Sequence, residues 1–379
     1  MRLDLSHSEF DEMLMSAGMD FLRRETPKLV IQELLDTDTG CTETIWEKAA
    51  EMGWLGIIIP EQYGGMESSM ESAGVLFEAL GTGPLPGPHF SSAILGALIV
   101  LGAGKETQKK KILPKVASGD ITLSLALTEP DYSWEPNAIE VAVEGKASEM
   151  ILNGTKLHVL DAEAATHFIV AARTGKSKDS SKAISLLLVD RDTPGVSVRK
   201  LSGFLSGRAF EVKFDHVSVS STDILGKKNA GWQPLNDAVM KASPVLCAYK
   251  VGGCKAVLDM ALDYTRGRIQ FSRPIGRFQR VQDMLIEMVN QADAARWMTY
   301  EALWKIDTGR DAAESIHLAK AVSSEAYFQV CTLGHQLFSG LSYSMEHPLS
   351  FHTRTSRHLY NFLGDPAHHR KKLLKYVLA

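Results

Sequence analysis

The hydrophobic rhythm of the chain changes twice. Phe10, Leu14, Met19 and Leu22 recur at near-helical spacing with polar residues between them, which predicts an opening helix. A second helix is expected over residues 44–52, stopped by Gly53. The apolar run Trp54-Leu-Gly-Ile-Ile-Ile-Pro60 follows, and Gly64 and Gly65 mark a loop. Helices are predicted over 69–80, 91–102 and 105–117. Between the first two lies Gly81-Thr-Gly-Pro-Leu-Pro-Gly87, which superficially resembles a phosphate-cradling loop. Pro84 and Pro86 exclude that reading, because they stop the helix a dinucleotide fold needs after its glycines.

At residue 121 the period falls to two. Ile121-Thr-Leu-Ser-Leu-Ala-Leu127 alternates, and strand-like runs follow at 139–143, 150–152, 167–172, 184–189, 196–200 and 209–217. Gly154, Gly175, Pro194 and Gly203 punctuate them. Short strands at this spacing predict a β-barrel or sandwich. The stretch Gly175-Lys-Ser-Lys-Asp-Ser-Ser-Lys182 reads as a solvated hairpin loop. Helical spacing returns near Gly231. Ser243-Pro244 reads as an N-cap with proline at the first helical position, opening a long amphipathic helix to Gly267. Further long helices are expected over 281–307 and 312–338, and such helices bundle. The fold class is therefore α+β and multidomain: a helical domain over 1–120, a middle β-domain over 121–230 and a C-terminal four-helix bundle over 231–379.

Composition narrows the function. The 379 residues are 45% apolar and 23% charged, ordinary for a globular protein. A net charge of −4 offers no basic field for nucleic acid. Cys41, Cys247, Cys254 and Cys331 form no C-x-x-C, so they read as free buried thiols rather than a metal or redox site. The opening MRLDLSHSEFDEM has no apolar signal core, and no apolar run is long enough for a membrane span. A cytoplasmic location is expected.

Motifs then point to a family. Gly53-Trp-Leu-Gly-Ile-Ile-Ile-Pro-Glu-Gln-Tyr-Gly-Gly65, Leu127-Thr-Glu-Pro130, Leu152-Asn-Gly-Thr-Lys156 and Asp192-Thr-Pro-Gly-Val196 occur in order. So do Arg268-Ile-Gln-Phe271 with Arg273-Pro-Ile-Gly276 and Gln279, then Met345-Glu-His-Pro-Leu349 and Phe362-Leu-Gly-Asp365. Together they resemble the acyl-CoA dehydrogenase family over the whole chain; the C-terminal pair resembles one bacterial branch.

The resemblance implies FAD, an acyl-CoA thioester as substrate and an electron-transfer flavoprotein as acceptor. A glutamate would remove the α-proton while the β-hydride passes to the flavin. Each FAD would be shared by two chains. For the ADP half of a neighbour's flavin, the resemblance implies Arg268, Phe271, Ile275 and Gln279, with Gln336, Ser339 and Gly340 standing for Q-x-x-G-G. For the chain's own flavin it implies Leu127 and Thr128, with His158-Val-Leu160 where the family has W-I-T/S. Leu160 lacks the hydroxyl that would reach the ring, and Asp131-Tyr-Ser-Trp134 replaces the family's small residues.

Neither family position for the base holds a carboxylate. Aligned through Arg354 and Gly364, one is Leu363; the other falls at Ala242 or Ser243. Asp365, His89 and Glu346 are the substitutes. Three functions follow: a subunit of a heteromeric α2β2 dehydrogenase completing the ADP half of the site, a homo-oligomeric enzyme with a relocated base, or an acyl-CoA-binding protein without chemistry. Retention of the ADP-half residues favours the first. Relatives with this C-terminal pattern suggest a bulky, branched or cyclic acyl group.

Overall fold

The computed structural model describes residues 6–146, 149–203 and 207–378; the first five residues of the N-terminal helical range lie outside it. The chain forms two compact units. One takes residues 1–35, 69–85 and 243–379, the other 36–68 and 86–242.

The helices are α1 (Glu9–Glu25), α2 (Lys28–Asp36), α3 (Glu43–Glu51), α4 (Met70–Thr82), α5 (Ala97–Ala103), α6 (Glu106–Ala117), α7 (Trp232–Gly267), α8 (Gln279–Asp307), α9 (Ala313–Phe338), α10 (Pro348–Tyr360) and α11 (Pro366–Val377). Their ends follow capping chemistry. Ser8 and Asp11 make a reciprocal capping box at α1, and the Asp307 carboxylate accepts from the backbone amides of Met70 and Glu71 at the start of α4. In the first unit α4 approaches α7 so closely that neither can carry a β-carbon at the contact. A Cβ on Gly81 would stand 1.9 Å from the Tyr249 carbonyl oxygen, and one on Gly252 1.9 Å from that of Glu78.

Three expectations are corrected here. Ser243-Pro244 does not open a helix: α7 begins at Trp232 and runs through Pro244. Proline costs one backbone hydrogen bond there, and the apolar residues on both sides, Leu235, Ala238, Val245 and Leu246 among them, are buried enough to carry the helix across. The predicted helix over 91–102 is instead a π-helix from His89 to Gly96 followed by α5. Cys41 is only half-buried, whereas Cys247, Cys254 and Cys331 are buried, and all four are free.

The second unit contains one eight-stranded sheet: β1 (Leu123–Ala126), β2 (Ala142–Lys146), β3 (Glu149–Leu160), β4 (His167–Arg173), β5 (Ile184–Asp190), β6 (Val196–Lys200), β7 (Ala209–Val219) and β8 (Ile224–Leu225). The order is β6-β7-β3-β2-β4-β5-β8, with β1 pairing parallel to β4. Phe168 on β4 and Phe214 on β7 meet edge-to-face at 6.5 Å although their strands are not neighbours. The sheet therefore folds over one apolar core, which holds Leu152, Val170, Leu187 and Val212 as well. The lysine- and serine-rich loop joins β4 to β5, an antiparallel pair. A short ribbon, β9 (Ile269–Gln270) and β10 (Arg273–Pro274), links α7 to α8.

No helix among the described residues is long and apolar enough to cross a membrane, and none of their His, Cys, Asp and Glu side chains group to hold a metal ion.

Candidate functional site

The ribbon after α7 is built to be touched. α7 ends at Gly267, and the backbone turns through Phe271 (φ 51°) and Ser272 (φ 63°). Left-handed backbone at two non-glycine residues costs energy, so the turn is held by its pairing, including the Ile275 amide donating to the Arg268 carbonyl at 2.9 Å. Phe271 is 82% exposed, beside an exposed Ile269. Its ring meets Phe278 edge-to-face at 6.1 Å, and the Arg273 guanidinium stacks on Phe278 at 4.4 Å. Arg268 and Gln279 are exposed and Ile275 is half-buried. Arg268 makes no ion pair among the described residues. An unpaired guanidinium next to an uncovered phenyl ring is suited to a planar, phosphate-bearing ligand.

At the end of α9, Ser339 adopts φ 55° and ψ −140°. That region is open essentially to glycine alone. Ser339, standing where the resemblance implies a glycine, holds a conformation suited to glycine, with its carbonyl accepting from Ser342 Oγ at 2.8 Å. A β-carbon on the next residue, Gly340, would meet nothing. Gln336 is exposed one turn earlier. These residues fit the adenine and pyrophosphate half of FAD.

The sheet unit carries the other predicted group. Glu129 is buried and bonds Lys156 Nζ at 2.6 Å, while its carboxylate also accepts from the Glu140 and Val141 amides. Lys156 Nζ also donates to the Leu127 carbonyl, and the Leu157 amide to that of Thr128. The second and third motifs of the sequence thus meet in one ion pair, which fixes Leu127 and Thr128 against β3. Burial pulls Lys156 down to about 8, partly offset by Glu129, so the lysine stays charged at neutral pH.

β3 is irregular past Lys156, and His158 sits there at φ 51°. Its ring packs 5.3 Å from Tyr132, itself at φ 56° and about half-exposed. Leu160 is buried, and its carbonyl accepts from Ser124 Oγ at 2.6 Å. The strand end thus presents an aromatic pair and an aliphatic side chain, with no hydroxyl at position 160. This half fits a flavin ring poorly.

The residues weighed as the base are scattered. Leu363 is buried at φ 59°, its carbonyl accepting from His369 Nε2 at 2.9 Å. Asp365 caps α11, accepting from the His368 amide at 2.6 Å. Glu346 is exposed, and Ala242 and Ser243 are buried within α7. His89 is buried beside Trp46, and its Nε2 has no partner among the described residues. Burial, then the Arg208 charge, push it down to about 4, so it is neutral at physiological pH.

Arg208 belongs to a cluster with no sequence signal. Its Nε donates to Asp161 at 3.0 Å, and Ser91 Oγ donates to the same carboxylate at 2.8 Å. Gly40 lies so close that a Cβ would meet Arg208 at 2.3 Å. Only the oddity of an Asp directly after Leu160 could have marked it.

Comparison with known proteins gives the family. Residues 8–120, 124–217 and 229–378 match the N-terminal, middle and C-terminal domain models of acyl-CoA dehydrogenase. A probable acyl-CoA dehydrogenase of Bacillus subtilis is 31% identical over 307 residues, covering 80% of this chain and 81% of that protein. Among solved structures, that of PigA with FAD and proline superposes with a TM-score of 0.88 at 25% identity, over 99% of both chains. The ChsE4-ChsE5 complex of Mycobacterium tuberculosis superposes with a TM-score of 0.89 at 21% identity, again over 99% of each chain, a likeness of fold. The chain belongs to the acyl-CoA dehydrogenase family, as an oxidoreductase acting on CH–CH bonds with FAD as its cofactor.

Proposed function

We propose that this chain is one subunit of a heteromeric α2β2 acyl-CoA dehydrogenase, contributing the ADP half of a shared FAD site. The single observation that carries the reading is an asymmetry. Arg268 and Phe271 stand exposed, the guanidinium without an ionic partner, and Ser339 keeps a glycine backbone. Leu160 and Leu363 are buried aliphatic side chains where a ring-bonding hydroxyl and a proton acceptor belong.

FAD, when bound, accepts the hydride. This chain's residues would do the rest of the holding: Arg268 pairs with a pyrophosphate oxygen, Phe271 and Ile275 pack on the adenine, and Gln279, Gln336, Ser339 and Gly340 line the approach. The partner chain supplies the carboxylate that removes the α-proton. The substrate is a bulky, branched or cyclic acyl-CoA, the acceptor an electron-transfer flavoprotein and the setting cytoplasmic. The domain division over 1–120, 121–230 and 231–379 belongs to the same reading.

A second reading rests on His89. A neutral imidazole with an unpartnered Nε2 can accept a proton, which a homo-oligomeric enzyme with a relocated base would need.

The visible spectrum decides. The chain purified alone is expected to be colourless and to turn yellow only when co-expressed with a second dehydrogenase chain. A lone chain with stoichiometric FAD that bleaches on adding an acyl-CoA would overturn the heteromeric reading.

A further inference from the structure

Two lysines in the helical bundle, Lys250 on α7 and Lys320 on α9, are buried at 1% and 0% exposure. Among the described residues neither makes an ion pair. Lys250 Nζ donates to Ser324 Oγ at 2.7 Å. Lys320 Nζ donates to the Gly364 carbonyl at 2.8 Å and reaches the same Ser324 Oγ at 3.5 Å. Ser324 spends its own proton on the Lys320 carbonyl at 2.8 Å. Two ammonium groups would carry six N–H donors between them. One backbone carbonyl and one shared hydroxyl are too few acceptors for them.

We propose that Lys250, Lys320, Ser323 and Ser324 form a buried binding site for one small monoanion of the halide class.

The groups around the pair supply no counter-ion in direct contact among the described residues. Burial raises the Cys247 and Cys254 thiols above their ordinary values, so neither is a thiolate. Asp365 acts on Lys320 at longer range, but its carboxylate caps α11. His369, toward α11, is driven down to about 2 by burial and by the Lys320 charge and stays neutral. Ser323 Oγ is fully buried with no partner beyond the weak thiol of Cys247. It is a donor awaiting an acceptor, and a halide accepts without needing a proton of its own.

The pair also sets a proton linkage. Burial lowers Lys250 to about 8, so it remains protonated at neutral pH. Burial and then the Lys250 charge hold Lys320 well below the usual lysine range. A bound anion favours both amines charged. Anion binding therefore takes up a proton and tightens as pH falls.

The test uses the full chain, or its complex if that is the form isolated. Melting temperature is followed in sodium chloride against sodium gluconate at equal ionic strength, since gluconate is too large to be buried. Chloride is expected to raise Tm by about 1–2 °C per tenfold increase above its dissociation constant. The slope should be steeper at mildly acid than at mildly alkaline pH. Lys250→Met, which removes one charge at similar volume, should abolish the difference between the salts. Equal slopes in the two salts for the unaltered chain, or an unchanged chloride slope in Lys250→Met, would overturn the proposal. If that variant does not fold, crystals of the unaltered protein in bromide decide. An anomalous peak within hydrogen-bond reach of both Nζ atoms supports the site, and its absence overturns it.

Discussion

The ribbon at residues 268–279 and the strand end at 158–161 are the two places where this chain would handle a flavin, and they have gone opposite ways. The ribbon spends backbone strain to leave Phe271 and Arg268 uncovered. The strand end spends similar strain, at His158 and Asp161, on contacts within its own unit: His158 packs on Tyr132, and Asp161 binds Arg208 and Ser91. Strained backbone survives only where its surroundings enforce it. In the first region the strained backbone leaves the side chains exposed; in the second it serves internal packing. On the proposed function, a cofactor site shared between chains is kept by half.

The most damaging change should be Glu129→Gln, which leaves Lys156 charged and buried without its partner. A loss of about 3–5 kcal/mol is expected, read by denaturant unfolding. It should disorder the strand-end side, and a milder loss would mean that the motif pair matters less to that side than its geometry suggests.

His89 should make the same unit acid-sensitive. Its folded value near 4 lies below the ordinary 6.5. The unfolded state therefore takes up a proton first, and stability falls as pH drops from 6.5 through 4. The full effect is about 3 kcal/mol, and His89→Gln should flatten that part of the stability–pH curve.

On the ribbon side, Arg268→Ala should leave Tm nearly unchanged, because the side chain is exposed and unpaired. FAD affinity of the assembled enzyme should drop about 10- to 100-fold, the worth of one charged hydrogen bond. A fall in Tm without a change in FAD content would remove the contrast between the regions. The smallest effect is expected from Ser339→Gly. It relieves a glycine-only conformation and should stabilise the bundle by about 1 kcal/mol while FAD retention holds or improves.

Much of this was readable before any coordinates. The change from helical to strand periodicity at residue 121 marks real strands, but alternation reports one-sided burial only in strands such as β7, whereas β1 and β4 are buried on both faces. The ribbon motif was legible because its residues form one short run that carries the family pattern, and the structure leaves most of them exposed. What the sequence hid were effects of distance along the chain. Pro244 reads locally as a helix start, but packing on both sides carries α7 through it. Asp161 and Arg208 are 47 residues apart and neither sits in a motif. Lys250 and Lys320 look like surface lysines on amphipathic helices until α7 and α9 bury them together. α10 and α11 escaped the hydrophobic pattern because polar residues such as His352, Ser356 and His369 occupy buried positions on them.

The paired glycines between α4 and α7 carry one more consequence. Each helix presses a carbonyl into the bare backbone of the other, at Gly81 against Tyr249 and at Gly252 against Glu78. Because the two notches lie on different helices, neither helix can slide or rotate without driving a side chain into one of them. The crossing works as a detent: it admits one register and rejects the next turn. An inserted or deleted residue between Glu78 and Gly81, or between Tyr249 and Gly252, should then be far more harmful than any substitution of the apolar side chains around them.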